Sequence, residues 1–126
     1  MNIIDSSGWL EYFADGPNAS FFSRPLQKTN DLIVPTITVY EVFKSVLRQR
    51  SESDALQAIA LMQQGSVVDL TTGISISAAK ISLEQHLPMA DSIILATART
   101  YRATIWTQDS DFKSVDGVQY ITKKKG

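Results

Sequence analysis

Short apolar runs alternate with amphipathic stretches along this chain, and the alternation predicts an α/β fold, a three-layer α/β/α sandwich around a mainly parallel sheet. Two observations carry that expectation. The apolar runs Ile3-Ile4, Leu32-Ile33-Val34, Val67-Val68, Thr104 to Thr107 and Val118 to Ile121 are separated by segments with helical spacing. Several of those runs also end next to an acid or a capping residue, the context found outside the carboxyl ends of parallel strands.

Met1 to Ile4 reads as a short buried strand. Ser6-Ser7 can cap a helix that carries Trp9, Leu10 and Phe13 at helical spacing, and Gly16-Pro17-Asn18 breaks it. A second helix is expected over Ala19–Lys28, bent or interrupted by Pro25. After the strand Leu32 to Val34, closed by Pro35, a helix is expected from Thr38 with Val39, Val42, Phe43, Val46 and Leu47 as its apolar stripe. Ser53 is the expected cap of a helix from Asp54 to Gln64, stopped at Gly65. Val67 to Leu70 suits a short strand, and a helix should run from Ile74 to Gln85 until Leu87-Pro88 ends it. Met89 to Arg102 gives the strongest helix pattern, through Ile93, Ile94, Ala96, Ala98 and Tyr101.

The 126 residues suit one domain, expected over 1–122, with a basic disordered tail at 123–126. There is no cysteine, which removes disulfides, thiolate chemistry and Cys-ligated zinc. The single His86 supplies neither a multi-histidine metal site nor a Ser-His-Asp triad, and reads as a helix-end residue. The start lacks a signal-peptide pattern, and no apolar run approaches the roughly 18 to 20 residues that span a bilayer, so a cytoplasmic location is expected. A formal net charge of −1 means that a polyanionic ligand would be held by local basic groups and bound cations.

Four carboxylates, Asp5, Glu41, Asp91 and Asp109, fall where a strand ends or a helix begins. Crowded carboxylates repel and raise one another's pKa, so a cluster implies a cation, and an all-oxygen donor set implies a hard one such as Mg²⁺ or Mn²⁺. Asp5 follows Ile3-Ile4, where a charge would be half-buried; a helix cap is its structural alternative. Glu41 fits the last position of a Thr38-x-x-Glu41 capping box, so its local pattern alone is structural. Asp91 suits a helix dipole, yet projects on the side of Ile94, Leu95 and Ala98. Asp109 and Asp111 follow a strand, where acids are also common turn formers; Thr107 and Asp109 point the same way if the chain stays extended.

Lys44 and Arg48 flank the helix face of Glu41, and Arg99 and Arg102 extend the helix of Asp91, so these four are candidate phosphate contacts beside an acidic pocket, with solvated helix surface as the alternative. The Lys123 to Lys125 run is either an RNA contact or a solubilising tail. Trp9, Tyr12, Phe13, Phe21 and Phe22 suit a core or an interface, and exposed aromatics there would suit an amphipathic partner helix.

Ile3-Ile4-Asp5-Ser6-Ser7, Val39-Tyr40-Glu41-Val42, the stretch Leu87 to Ala98 with Pro88-Met89-Ala90-Asp91 at its head, and Thr107-Gln108-Asp109-Ser110-Asp111-Phe112 resemble the PIN-domain ribonucleases. Within these the chain is most similar to the VapC-type toxins of toxin–antitoxin pairs, over essentially its whole length. The resemblance implies a PIN-like fold and an endoribonuclease using Mg²⁺ or Mn²⁺. It carries over Asp5, Glu41, Asp91 and Asp109 as catalytic acids, with Asp5, Asp91 and Asp109 as metal ligands and Thr107 and Asp111 supporting them. It also implies an RNA substrate, a homodimer, and a cognate antitoxin whose basic side chain enters the acidic pocket, with no membrane role. Two rivals remain. One is an aspartyl-phosphate phosphotransfer or phosphatase module using Asp5, although Ser7 stands where a second Asp is usual and Asp5-Ser6 lacks paired acids. The other is a non-catalytic module whose acidic pocket binds a basic peptide.

Overall fold

The computed structural model describes residues 1–125; Gly126, the last residue of the expected tail, lies outside the described residues. Five strands form one sheet in the order β3-β2-β1-β4-β5, where β1 is Asn2–Ile4, β2 Leu32–Pro35, β3 Ser66–Val68, β4 Thr104–Thr107 and β5 Val118–Tyr120. Every pairing is parallel, so the sheet is wholly rather than mainly parallel. The helices are α1 (Ser6–Phe13), α2 (Ala19–Leu26), α3 (Thr36–Gln49), α4 (Glu52–Met62), α5 (Thr72–Gln85) and α6 (Met89–Tyr101).

Strand alternation divides the core into two layers. Ile3, Ile33 and Ile105 face α5 and α6, packing with Ile81, Ile94 and Phe112. Ile4, Leu32 and Val34 face the other way, onto Trp9 of α1, Phe22 of α2, Val42 of α3 and Met62 of α4. Both faces of the sheet are thereby covered, which is why these strands read as unbroken apolar runs rather than alternating ones.

The chain moves from β1 outward to β2 and β3, then returns through α5 and α6 to β4 on the opposite side of β1. Connections therefore leave the carboxyl ends of β1 and β4 in opposite directions, opening a crevice between them. The ladder puts Ile4 beside Trp106, and the Asp5 amide donates to the Trp106 carbonyl at 3.2 Å, so Asp5 and Thr107 emerge side by side at that crevice.

Several helix starts differ from the sequence expectation. Helix α3 begins at Thr36, with extended Pro35 as its N-cap, so Thr38 lies inside the first turn and its Oγ1 donates to the Pro35 carbonyl at 2.6 Å. The capping box is therefore absent and Glu41 is released from that role. Helix α4 is capped by Ser51, not Ser53: Ser51 Oγ accepts from the Asp54 amide at 3.1 Å. Helix α5 starts at Thr72 under a Thr71 cap, and left-handed His86 (φ 56°) ends it. Helix α2 stops at Leu26, close behind Pro25. Among the described residues, no helix is long and apolar enough to cross a membrane.

Candidate metal centre

Asp5 is built into the crevice by both neighbouring elements. Its Oδ1 accepts from the Gly8 amide at 3.0 Å and from Ser7 Oγ at 2.7 Å, while Oδ2 accepts from Thr107 Oγ1 at 2.5 Å. It is thus the N-cap of α1 and a pocket residue at once, and it is only 2% exposed. Burial raises its pKa to about 6, against the lowering effect of the hydrogen bonds from Thr107, Ser7 and Gly8; the charge of Asp109 adds to the rise.

Asp91 arrives from the opposite layer. Helix α6 is buried continuously from Asp91 to Ala98, because it is sandwiched between the sheet and α5, and its hydroxyls fold back onto its own carbonyls: Ser92 Oγ to Pro88 O at 2.9 Å and Thr97 Oγ1 to Ile93 O at 2.8 Å. Its first turn therefore delivers a largely buried carboxylate. The helix dipole favours the ionised form there by roughly 0.3–1 kcal/mol. Burial overrides it, joined by the charges of Asp109, Asp5, Asp111 and Glu41, and the Asp91 pKa rises to about 8.

The loop after β4 supplies the remaining acids. Thr107 Oγ1 accepts from the Asp109 amide at 2.9 Å while donating to Asp5, so one hydroxyl fixes both. Asp109 Oδ1 caps the following 3₁₀ turn by accepting from the Asp111 amide at 2.9 Å. One oxygen each from Asp91, Asp109 and Asp111 lies within 4.8 Å of the others. A cation with ligand bonds of roughly 2.0–2.6 Å bridges oxygens at such spacings. An all-oxygen, anionic donor set fits a hard divalent ion.

Glu41 completes the ring from α3. Its Oε1 accepts from Ser6 Oγ at 2.5 Å, and its charge is felt by Asp91. The six candidates Asp5, Glu41, Asp91, Thr107, Asp109 and Asp111 thus converge on one crevice. The tight trio contains Asp111 where the sequence pointed to Asp5, because Asp5 is drawn back by its three donors.

The basic candidates are placed differently. Lys44 and Arg48 are exposed on α3, with Lys44 Nζ 5.7 Å from the centre of the Tyr40 ring. Arg99 and Arg102 sit at the far end of α6, where Arg102 takes a left-handed conformation just before β4. Because α6 runs back along the sheet, it carries them to the opposite edge, roughly 12–16 Å along the helix axis from Asp91. They do not flank the acidic crevice.

Sequence reasoning missed a polar cluster beside this crevice. Buried Asn18 donates through Nδ2 to Gln108 Oε1 and to the Thr122 carbonyl, both at 3.0 Å, and Gln108 Nε2 donates to Glu11 Oε1 at 3.4 Å. Asn18 sits in a Gly-Pro-Asn break that reads as an ordinary turn, and nothing local marks it as buried. The aromatic cluster also differs from expectation. Trp9 and Phe22 are fully buried, so they offer no docking surface, while Tyr12, Phe13 and Phe21 are half-buried. A groove of about 740 Å³ lies instead between α1, α3 and α4, lined by Leu10, Phe13, Val46 and Leu61 and also by Ser7 and Gln108.

No curated protein matches the chain by sequence. Solved structures match its fold closely. A chain of a toxin–antitoxin complex from Klebsiella pneumoniae superposes with a TM-score of 0.77 at 22% identity, covering 94% of this chain and 96% of that one. Mycobacterium tuberculosis VapC20, a sarcin–ricin loop cleaving toxin, gives 0.79 at 16% identity, covering 94% and 97%. FitAcB from Neisseria gonorrhoeae gives 0.72 at 21% identity, covering 97% of each chain. The family described as the PIN domain matches residues 3–118, and on that span this chain belongs to the PIN domain family.

Proposed function

We propose that this protein is a Mg²⁺-dependent endoribonuclease, the toxin of a toxin–antitoxin pair. The observation that carries the reading is the convergence of Asp5, Glu41, Asp91, Asp109 and Asp111, with Asp91 held so far from its ordinary ionisation that a cation is the natural partner of the site. The fold neighbours support the biological setting, since they include a chain of a toxin–antitoxin complex and a toxin that cleaves the sarcin–ricin loop.

Asp91, Asp109 and Asp111 are the residues that would hold the ion, with Asp5 closing the site from behind. Asp5 Oδ2 receives one hydroxyl proton, from Thr107, and an ionised carboxylate oxygen has a second acceptor position left to face a cation. When bound, a divalent metal lowers the pKa of water and neutralises charge on phosphoryl oxygens. The chain's own residues set the conditions for that chemistry. With its pKa raised to about 8, Asp91 favours the protonated form in the metal-free site at neutral pH, and a bound cation would favour loss of that proton. Thr107 keeps Asp5 ionised and aligned through its donated hydrogen bond. Glu41 has Oε1 tied to Ser6, leaving Oε2 to orient an attacking water. Mn²⁺ suits the same oxygen donors.

The aspartyl-phosphate rival is disfavoured by Asp5 itself. A nucleophilic carboxylate needs an open approach, whereas Asp5 is 2% exposed with donors on both oxygens. For the partner, the groove between α1, α3 and α4 is lined by Ser7 and Gln108, which adjoin Asp5 and Asp109, and an antitoxin segment lying there would have a basic side chain within reach of the pocket. A homodimer is the second assembly we propose, through the exposed apolar residues of α5 and the head of α6. The deciding experiment is cleavage of a structured RNA in Mg²⁺ and in EDTA. Wild type should cut only with Mg²⁺, and Asp5→Asn should lose roughly 100-fold or more in rate. Metal-independent cutting, or an undiminished Asp5→Asn, would sink the reading.

A further inference from the structure

The segment after β5 is held against the crevice. The Ile121 amide donates to the Thr107 carbonyl at 3.0 Å, extending the β4–β5 ladder by one bond, and the Thr122 carbonyl accepts from Asn18 Nδ2 at 3.0 Å. Asn18 is 1% exposed, and its two amide protons serve two acceptors, Thr122 O and Gln108 Oε1. Its backbone N–H donates to Glu11 Oε2 at 2.7 Å, and Gln108 closes the circuit through Glu11 Oε1 and, by its own amide, Ser7 Oγ at 3.3 Å. Four parts of the chain are clasped there: α1, the turn before α2, the end of β4 and the C-terminal segment. The clasp retains a cost, because Asn18 Oδ1 is buried with no hydrogen-bond partner among the described residues.

Lys123 leaves the clasp one residue after Thr122. It lines a cavity of about 400 Å³ together with Ser7, Gln108, Asp109 and Ser110. A polyanion brought to a site walled by carboxylates needs positive charge at the rim, and a protein of net charge −1 provides little at long range. Arg99 and Arg102 lie at the other edge of the sheet, whereas Lys123 shares a cavity with Asp109 itself. The exposed Lys124 and Lys125 extend the same positive run.

We propose that Lys123 contacts a phosphate of the RNA strand next to Asp109, and that Asn18 is the positioning residue that fixes Lys123 there by gripping Thr122. This rests on the ribonuclease reading and adds a substrate contact to it. The geometry makes the lysine a defined contact rather than a solubilising tail, because its backbone is anchored on one side by a buried amide.

The test separates binding from turnover. Binding of the same single-stranded RNA is measured in EDTA across a salt series, and cleavage is measured in Mg²⁺, for wild type, Lys123→Gln, Asn18→Ala, the double variant and Lys28→Gln, a lysine at the opposite edge of the sheet. Lys123→Gln should weaken RNA binding and raise KM roughly 3- to 10-fold, flatten the slope of log K against log salt by about 0.7, and leave kcat near wild type. Asn18→Ala should reproduce the flattened slope, and the double variant should add little further, while Lys28→Gln stays like wild type. A Lys123→Gln protein with unchanged slope and KM overturns the proposal, even if Asn18→Ala fails to fold. So does a loss confined to kcat. Wild type that binds RNA with the Lys123-dependent slope but never cleaves it would instead overturn the ribonuclease reading and leave the phosphate contact standing.

Discussion

Asp91 makes a testable link between site chemistry and stability. Its pKa is about 8 in the fold against 3.8 for a free carboxyl, so the folded protein holds a proton that the unfolded chain releases between those values. Where the native state binds more protons, stability falls as pH rises. The destabilisation is absent below about pH 4, grows through neutrality and is complete above about pH 8. Asp91→Asn should therefore raise the metal-free Tm by roughly 3–10 °C at pH 8, equivalent to about 1–3 kcal/mol after allowing for partial hydration, with almost no effect at pH 4. Calorimetry at both pH values checks it, and the same variant should lose the Mg²⁺-induced rise in Tm. An unchanged metal shift would remove Asp91 from the ligand set. Thr107 supports a second expectation. Its hydroxyl favours ionised Asp5, so Thr107→Val should raise the Asp5 pKa above its present value of about 6 and move the acid limb of the pH–rate profile upward by roughly half to one unit. Thr107→Ser, which retains the donor, should restore the wild-type limb.

At the scale of elements, the acids were legible where a strand delivers them directly. Ile3-Ile4-Asp5 and Ile105-Trp106-Thr107 read correctly because a parallel strand carries its next residues to one edge of the sheet. Glu41 was ambiguous, since a Thr38-x-x-Glu41 pattern is indistinguishable in sequence from a capping box; only the start of α3 at Thr36 releases it. The arginines on α6 misled for a geometric reason, because a helix returning along a sheet carries its ends to opposite edges. Asn18 was illegible because its partners, Gln108 and Thr122, are 90 and 104 residues away in sequence. Gly8 shows how tightly α1 must seat for Asp5 to receive its amide. A Cβ at Gly8 would lie 2.6 Å from Ile4 Cγ2 and from two ring carbons of Phe22. Gly8→Ala should cost about 1–3 kcal/mol through overpacking, read as a lower denaturation midpoint in urea. It should also weaken the metal-induced stabilisation, because α1 can accommodate the methyl only by withdrawing the amide from Asp5.

For the whole molecule, the sheet order itself follows from the connections: the return through α5 and α6 puts β4 beside β1 and brings acids from both layers to one crevice. Helix α5 on that return carries apolar residues on two faces. Ile74, Ala78 and Ile81 are buried against the core, yet Ile76 and Leu83, seven residues apart and so on one stripe, are 56% and 82% exposed. Met89, at the head of α6, is 72% exposed and stands two residues before Asp91. Single exposed apolar residues need no explanation, but three across adjoining helices suit a surface covered in an assembly. Under the homodimer we propose, burying this face would set the interface at the margin of the acidic crevice. Replacing Ile76 and Leu83 together by Lys should convert a dimer into a monomer by light scattering, with little loss of monomer stability, since neither side chain contributes to the core. If Met89 also lies in the interface, the monomer should show a changed KM for RNA while keeping its Mg²⁺-induced Tm shift, because all the carboxylates come from one chain. A wild type that is monomeric at high concentration, or a double variant that still dimerises, would place the covered face elsewhere and leave these leucine and isoleucine side chains as ordinary surface.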